Sequence, residues 1–144
     1  MEQILISACL VGDNCTYKGG NNYSPKIREL LERYELIPFC PEVEGGLRIP
    51  RDPSERKDDK VISIKGKDVS KEYNLGARRA LNICQALQIK VAILQERSPS
   101  CGVHQIHDGS FSNKLIDGEG ITTELLRSHG VKVLTIDEID ELLK

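Results

Sequence analysis

Four short apolar runs alternate with segments of helical character, and this alternation limits the fold more than any other feature of the chain. The runs are "QILISA" at 3–8, "LIPF" at 36–39, "KVAILQ" at 90–95 and "VKVLTI" at 131–136. Short continuous apolar runs are typical of strands buried on both faces. Strands that alternate with helices form parallel sheets through right-handed crossovers. We therefore expect one α/β domain over residues 1–144: a small doubly wound, Rossmann or flavodoxin-like sheet of about four strands in the order 2-1-3-4, with helices on both faces.

The segments between the apolar runs carry signals for helix starts and stops. Ser24 followed by Pro25 is typical of an N-cap and the first position of a helix. Ser70 precedes a long segment of helical period at 71–88, so it is predicted to cap that helix. The segment "ITTELLRSHG" predicts a further helix that ends at Gly130.

Composition narrows the class of function. The net charge is −2, and the aromatic residues are only 4 Tyr and 2 Phe without Trp, so neither a basic field nor a stacking platform for nucleic acid is expected. No apolar stretch approaches the length of a membrane span. The N-terminal segment lacks the basic flank and the apolar length of a signal peptide, which favours a cytoplasmic protein. The sequence leaves the oligomeric state open.

Three of the five cysteines follow apolar runs. In a cytoplasmic protein, cysteines suggest metal binding or catalysis before disulfides. Cys9 ends the first run, Cys40 comes directly after the second, and Cys101 lies in the loop after the third. In a sheet of order 2-1-3 these strand ends are neighbours, about 4.8 Å apart from strand to strand, so the three thiols are predicted to meet. Cys15 is interpreted as a spare thiol in a flexible loop, and Cys84 as a core residue on a helix.

The residue types alone leave the identity of the metal open. Zinc accepts three thiolates with a water in the fourth position. An iron–sulfur cluster is usually held by four cysteines, and three would leave one iron without a protein ligand. The chain has no G-x-G-x-x-G motif and no P-loop, so a nucleotide cofactor has no support.

Four motifs, in this order and over almost the whole chain, resemble one family. They are "SACLVG" ending at Gly12, "CPEVEGGLRIPRDPSE" at 40–55, "ERSPSCG" at 96–102 and "HDGSFSNKLIDGEGIT" at 107–122. The chain is identified by them as similar to the thiouracil desulfurases, a family that was long a domain of unknown function. Relatives often carry Arg-Tyr-Asp-Gly after the first motif, whereas this chain has Thr-Tyr-Lys-Gly at 16–19. The loop that faces the substrate is therefore expected to differ.

The resemblance implies a cofactor and an activity. Cys9, Cys40 and Cys101 correspond to the three ligands of a [4Fe–4S] cluster in the family. Its open iron is thought to take the sulfur of a thiolated pyrimidine, which is exchanged for oxygen from water without net electron transfer. The implied partner is thus a small thiolated base of the 2-thiouracil type, and neither nucleic acid nor a membrane is expected.

The resemblance also implies helpers for this chemistry. Glu42 of "CPE" and Ser98 of "SPSCG" are the expected catalytic residues, with Glu42 activating the water or moving its proton. Ser100 and Arg51 are expected to bind substrate, although Ser98 and Ser100 are physically equivalent choices for orienting the ring or the water. Arg51 is equally suited to holding its long loop. The alternative is a non-catalytic thiolate protein that binds metal or sulfide, in which Glu42 and Ser98 are only structural. Glu42 would then be an ordinary loop carboxylate that pairs with Arg48 or Arg51.

Overall fold

The computed structural model describes residues 1–144 as an α/β fold built on a four-stranded parallel sheet. In chain order the strands are β1 (Glu2–Ser7), β2 (Tyr34–Phe39), β3 (Ser54–Lys57), β4 (Lys60–Ser63), β5 (Val91–Ile93), β6 (Gln105–His107), β7 (Leu115–Asp117) and β8 (Lys132–Leu134). The α-helices are α1 (Ile27–Leu31), α2 (Pro41–Glu44), α3 (Ser70–Leu87) and α4 (Ile121–Ser128), and 3₁₀ segments cover Ala8–Val11 and Ile136–Leu142.

The central sheet has the order β2-β1-β5-β8, and all its pairings are parallel. This confirms the predicted α/β fold with four parallel strands. Pro38 lies in β2, which is the edge strand next to β1. Proline has no N–H to donate, so an edge strand is where a sheet tolerates it.

Alternate side chains of the strands enter two different cores. Leu5 and Ala92 pack with residues of α3 and α4, whereas Ile4, Ile6 and Ile93 pack with α1 and the last 3₁₀ segment. Because successive side chains of a strand point to opposite faces, this division places helices on both sides of the sheet. The apolar runs are continuous since both faces are covered.

The observed helix starts differ from the predicted ones. The cap position of α1 is Lys26, and the Ser24 hydroxyl accepts a hydrogen bond from Lys26 N (3.4 Å) in the preceding turn. Ser70 is already inside α3, and its hydroxyl accepts from Val61 N (2.9 Å) of β4. The Asp68 carboxylate accepts from Ser70 N (2.9 Å) instead. Both predicted N-caps are wrong: α1 begins two residues after Pro25, so Ser24 lies before the turn that leads into it, and the Ser70 hydroxyl binds an amide of β4 rather than one of α3.

Two small antiparallel hairpins, β3–β4 and β6–β7, lie outside the central sheet. The longest helix is α3, and none of the helices has the combined length and apolar character of a membrane span.

The short helix α2 contacts α3 so closely that a glycine is required. A Cβ built at Gly76 of α3 would lie 1.9 Å from the Pro41 carbonyl oxygen at the start of α2. We expect Gly76→Ala to lower the free energy of unfolding by about 1–3 kcal/mol, although alanine is the better helix former, because backbone must move to admit the methyl group. Urea titration of both proteins measures the change.

Gly20→Ala is the matched control for that prediction. A Cβ at Gly20 meets only the Thr16 hydroxyl, at an ordinary 3.6 Å, so this variant should unfold at the wild-type midpoint. An unchanged midpoint for Gly76→Ala would show that the α2–α3 contact adapts freely.

Candidate active site

The three predicted cysteines lie at the carboxyl ends of three adjacent strands. Cys9 is in the 3₁₀ turn that follows β1, Cys40 directly follows β2 and precedes α2, and Cys101 is in the loop after β5. All three line one cavity of about 660 Å³. Cys9 and Cys101 are buried, Cys40 is half-buried, and all five cysteines are free thiols. Adjacent parallel strands thus bring together residues 31 and 61 positions apart, as the sheet order requires.

Cys15 also belongs to this group of thiols. It is buried, lines the same cavity, and its sulfhydryl is within hydrogen-bonding reach of the Cys9 and Cys40 sulfur atoms. Cys40 Sγ in turn lies 3.8 Å from the Cys15 carbonyl oxygen, to which it donates. Cys15, interpreted from the sequence as a spare thiol in a flexible loop, therefore lies beside two of the predicted ligands. Cys84 lies in the core of α3, as predicted.

The environments of the thiols differ in their effect on ionisation. The hydrogen bond with Cys15 lowers the pKa of Cys40 to about 7 and also lowers the pKa of Cys9, while the pKa of Cys15 is raised by the same contacts. Burial raises the pKa of Cys101 to about 12. Thiolates are the form that binds metal, so Cys9 and Cys40 are prepared for ligation, and Cys101 gives up its proton only to a strong positive partner.

Glu42 lies in the first turn of α2 and is held from both sides. Its Oε1 accepts from Arg51 Nε (3.0 Å), and both side chains are largely buried. The other N–H groups of Arg51 donate to the carbonyl oxygens of Arg48 (3.1 Å) and Cys15 (2.8 Å). Burial, together with the nearby Glu42 carboxylate, raises the pKa of Tyr73, so its phenol stays protonated beside this pair. Through its hydrogen bonds to Glu42 and to the Cys15 carbonyl oxygen, Arg51 connects α2 to the loop that carries Cys15.

The second oxygen of Glu42 faces the two serines of "SPSCG". Glu42 Oε2 accepts from Ser100 Oγ (2.9 Å) and from Ser98 Oγ at a longer 3.3 Å. The Ser98 hydroxyl accepts from the backbone amides of Ser100 (3.0 Å) and Cys101 (3.1 Å), which closes the turn. Ser100 is buried, with its hydroxyl 3.5 Å from Cys101 Sγ. A continuous row of polar groups therefore runs from the Glu42 carboxylate to the Cys101 thiol.

A single carboxylate fixes the ends of the loop that carries Cys101. Glu96 Oε1 accepts from the amides of Val103 (2.7 Å), His104 (2.9 Å) and Gln105 (3.1 Å). Burial disfavours the charged form of the Glu96 carboxyl, but the backbone hydrogen bonds outweigh this effect, and the pKa of Glu96 is lowered. The loop is thus a rigid frame for the serines and the thiol.

The arrangement of the three thiols distinguishes between a single metal ion and an iron–sulfur cluster. No three His, Cys, Asp or Glu side chains are grouped at the spacing of ligands to a single ion. Cys9, Cys40 and Cys101 instead stand on separate strand ends around one cavity. In an iron–sulfur cluster the cysteines each bind a different iron and need not meet at one point. The three thiols therefore fit a [4Fe–4S] cluster with one iron left without a protein ligand.

Comparison with known proteins agrees with this geometry. A family model described as 2-thiouracil desulfurase matches residues 4–138. The chain belongs to the 2-thiouracil desulfurase family. The Uncharacterized protein YbbK of Bacillus subtilis (strain 168) is 36% identical over 150 residues, which cover 97% of this chain and 99% of that protein.

A solved structure extends the match to three dimensions. The [4Fe-4S]-dependent thiouracil desulfidase TudS is 42% identical and superposes with a TM-score of 0.93 over 99% of this chain and 95% of its own. The family resemblance inferred from the four motifs is therefore confirmed.

One cavity brings together all seven candidate site residues that the sequence indicated. Cys9, Cys40, Cys101, Glu42, Ser98, Ser100 and Arg51 all line the one cavity. Sequence reasoning missed the contact of Cys15 with two other thiols and the place of Tyr73 beside Glu42. The Gly- and Asn-rich composition of the first loop was the available signal for Cys15, because such a loop can turn back on the strand end. It does so here, where Asn22 N donates to the Cys9 carbonyl oxygen (2.9 Å).

Proposed function

We propose that this protein removes sulfur from a small thiolated pyrimidine, in a reaction of the 2-thiouracil to uracil type that depends on a [4Fe–4S] cluster. The observation that carries the proposal is the convergence of three thiols and the Glu42–serine row on one cavity. A family match over almost the whole chain and the name of the similar TudS structure support it.

Cys9, Cys40 and Cys101 would hold the cluster. When bound, the cluster supplies a Lewis-acidic iron that has no protein ligand and is free for a soft sulfur atom. The protein's own part is to supply three thiolates and to present proton-transfer groups beside the cluster. The buried position of Cys101 keeps one side of the site dry.

Glu42 is proposed as the group that accepts and returns a proton. Replacement of a thione sulfur by oxygen needs one water, which loses protons as the sulfur gains them, with no change of oxidation state. A carboxylate within reach of the reacting water serves this exchange. Arg51 occupies Oε1, so Oε2 is the oxygen left to take part, next to the serine hydroxyls.

The two serines are proposed to have different tasks. Ser98 is half-buried at the cavity, and because its oxygen accepts two backbone amides, its own proton is available to Glu42, to Ser100 or to a ligand. This favours Ser98 as the catalytic helper. Ser100 and Arg51 are proposed to contribute to substrate binding indirectly. Both donate hydrogen bonds to the Glu42 carboxylate and so fix its position in the cavity.

The sheet is proposed to be a small doubly wound sheet of the flavodoxin-like type. In such sheets ligands bind beyond the carboxyl ends of the strands where the strand order reverses. Here β1 lies between β2 and β5, and the cavity is lined from the ends of these three strands.

We also propose that the protein is cytoplasmic. In the cytoplasm, five free cysteines and an iron–sulfur cluster are kept reduced.

Anaerobic reconstitution with iron and sulfide tests the proposed function. We expect about four irons per chain, an absorption band near 400 nm, and release of sulfide from 2-thiouracil with formation of uracil. Heat-denatured protein reconstituted in parallel is the control for cluster that forms without the site. A bound cluster with no uracil formed would favour the non-catalytic thiolate protein, and absence of iron would contradict the cluster-dependent activity and leave only a thiolate protein that binds another metal or sulfide.

A further inference from the structure

An aromatic side chain outside the cores lines the cavity. Phe111 lies in the turn between β6 and β7, is half-buried, and belongs to none of the apolar cores. Phe39 and Tyr73, which also line the cavity, are core residues. Tyr17 is the remaining aromatic residue of the lining, and its ring already carries the Lys18 ammonium at 5.6 Å from the ring centre.

A carboxylate from another hairpin fixes the turn that carries Phe111. Glu55 of β3 accepts from the backbone amides of Gly109 (3.0 Å) and Phe111 (3.1 Å) through one oxygen. The turn also approaches β3 closely, since a Cβ at Gly109 would lie 2.9 Å from Lys57 Cβ. The β3–β4 and β6–β7 hairpins therefore contact each other beside the cavity.

The backbone of the turn is held in an unusual conformation. Phe111 has φ +56° and Asn113 has φ +62°, a region that residues with side chains seldom adopt. A large aromatic residue in this conformation costs free energy, and such residues persist where the surrounding structure fixes them, often at ligand sites. The Glu55 hydrogen bonds supply that restraint here.

We propose that Phe111 is the stacking surface for the pyrimidine ring of the substrate and so selects flat, aromatic thiolated bases. The inference rests on the proposed function and adds to it a residue that determines specificity. Every base offers a π-face, and an aromatic side chain fixed in place gains the stacking energy without ordering a mobile loop. The polar row at Glu42 cannot distinguish a ring from an open-chain thione, whereas a stacking surface can.

Steady-state kinetics of the reconstituted protein with 2-thiouracil tests the role of Phe111. We expect Phe111→Ala and Phe111→Leu to raise KM about tenfold while kcat and the iron content stay as in the wild type. Phe111→Tyr should restore the wild-type KM because it keeps the ring. Ser112→Ala, in the same turn but outside the cavity lining, is the control for disturbance of the turn.

The outcomes separate this inference from the proposed function. A wild-type KM in Phe111→Ala, or in Phe111→Leu, would overturn stacking while leaving desulfuration intact. If the loaded wild-type protein leaves 2-thiouracil unchanged, the proposed function fails, and saturation-transfer NMR with uracil then tests Phe111 directly. Weaker uracil binding by Phe111→Ala than by the wild type supports the inference, and equal or absent binding in both overturns it.

Discussion

Replacing Cys101 by alanine is expected to abolish desulfuration and to leave the protein unable to hold a full complement of iron. Cys101 is buried in the cavity lining, with its Sγ 3.5 Å from the Ser100 hydroxyl, in a loop that the Glu96 carboxylate fixes. Loss of one of three protein ligands removes binding free energy that nothing else in the cavity replaces. Iron and sulfide counts after anaerobic reconstitution, with the absorption spectrum, measure the effect. Cys9→Ala and Cys40→Ala should behave in the same way.

Cys84→Ala is the matched control for these three variants. Cys84 is buried like Cys9 and Cys101 but lies on α3 in the core and is not part of the cavity lining. It should keep the wild-type iron content and activity. Undiminished iron in Cys101→Ala would contradict the assignment of the ligands and direct attention to Cys15, whose thiol lies beside Cys9 and Cys40.

The sheet could be predicted because its sequence signal is local. Ile4, Leu5 and Ile6 form a continuous apolar run since each is fully buried, on one face or the other. The apolar runs are longer than the strands that form in the second half of the chain, however. Residues 90–95 and 131–136 were predicted as strands, but only Val91–Ile93 and Lys132–Leu134 pair in β5 and β8. Apolar character reports burial, which extends beyond the ladder of hydrogen bonds.

The site was predictable in its thiols and not in its supporting contacts. The strand ends of a parallel sheet meet at one edge, so the meeting of Cys9, Cys40 and Cys101 follows from the order of the strands. Pairing of Glu42 with Arg48 or Arg51 was an alternative that the sequence offered, but the choice of Arg51 depends on how the long irregular segment after β2 folds back, and no periodicity encodes that path. The position of Cys15 likewise depends on the path of the irregular loop after β1, which no periodicity encodes.

Replacing Glu42 by glutamine is expected to lower kcat roughly 10²- to 10⁴-fold while the cluster remains bound. Glutamine keeps the size of the side chain, and its amide oxygen can still accept from Arg51 while its NH2 group donates to a serine hydroxyl, but the amide cannot take up a proton from water. The loss should therefore fall on kcat, with the iron content and the spectrum near 400 nm unchanged. Comparison of kcat and KM with 2-thiouracil, beside an iron count on the same preparation, measures it.

Glu44→Gln is the control because Glu44 belongs to the same short helix but is exposed and makes no side-chain contact with the site. It removes the same charge from α2 and should leave kcat unchanged. Full activity of Glu42→Gln with an intact cluster would show that the carboxylate is structural and that the proton is moved by another group of the cavity lining, such as Ser98. Equal losses in both variants would instead attribute the effect to the charge of the helix. Only a loss confined to Glu42→Gln is consistent with a carboxylate that exchanges protons with the reacting water.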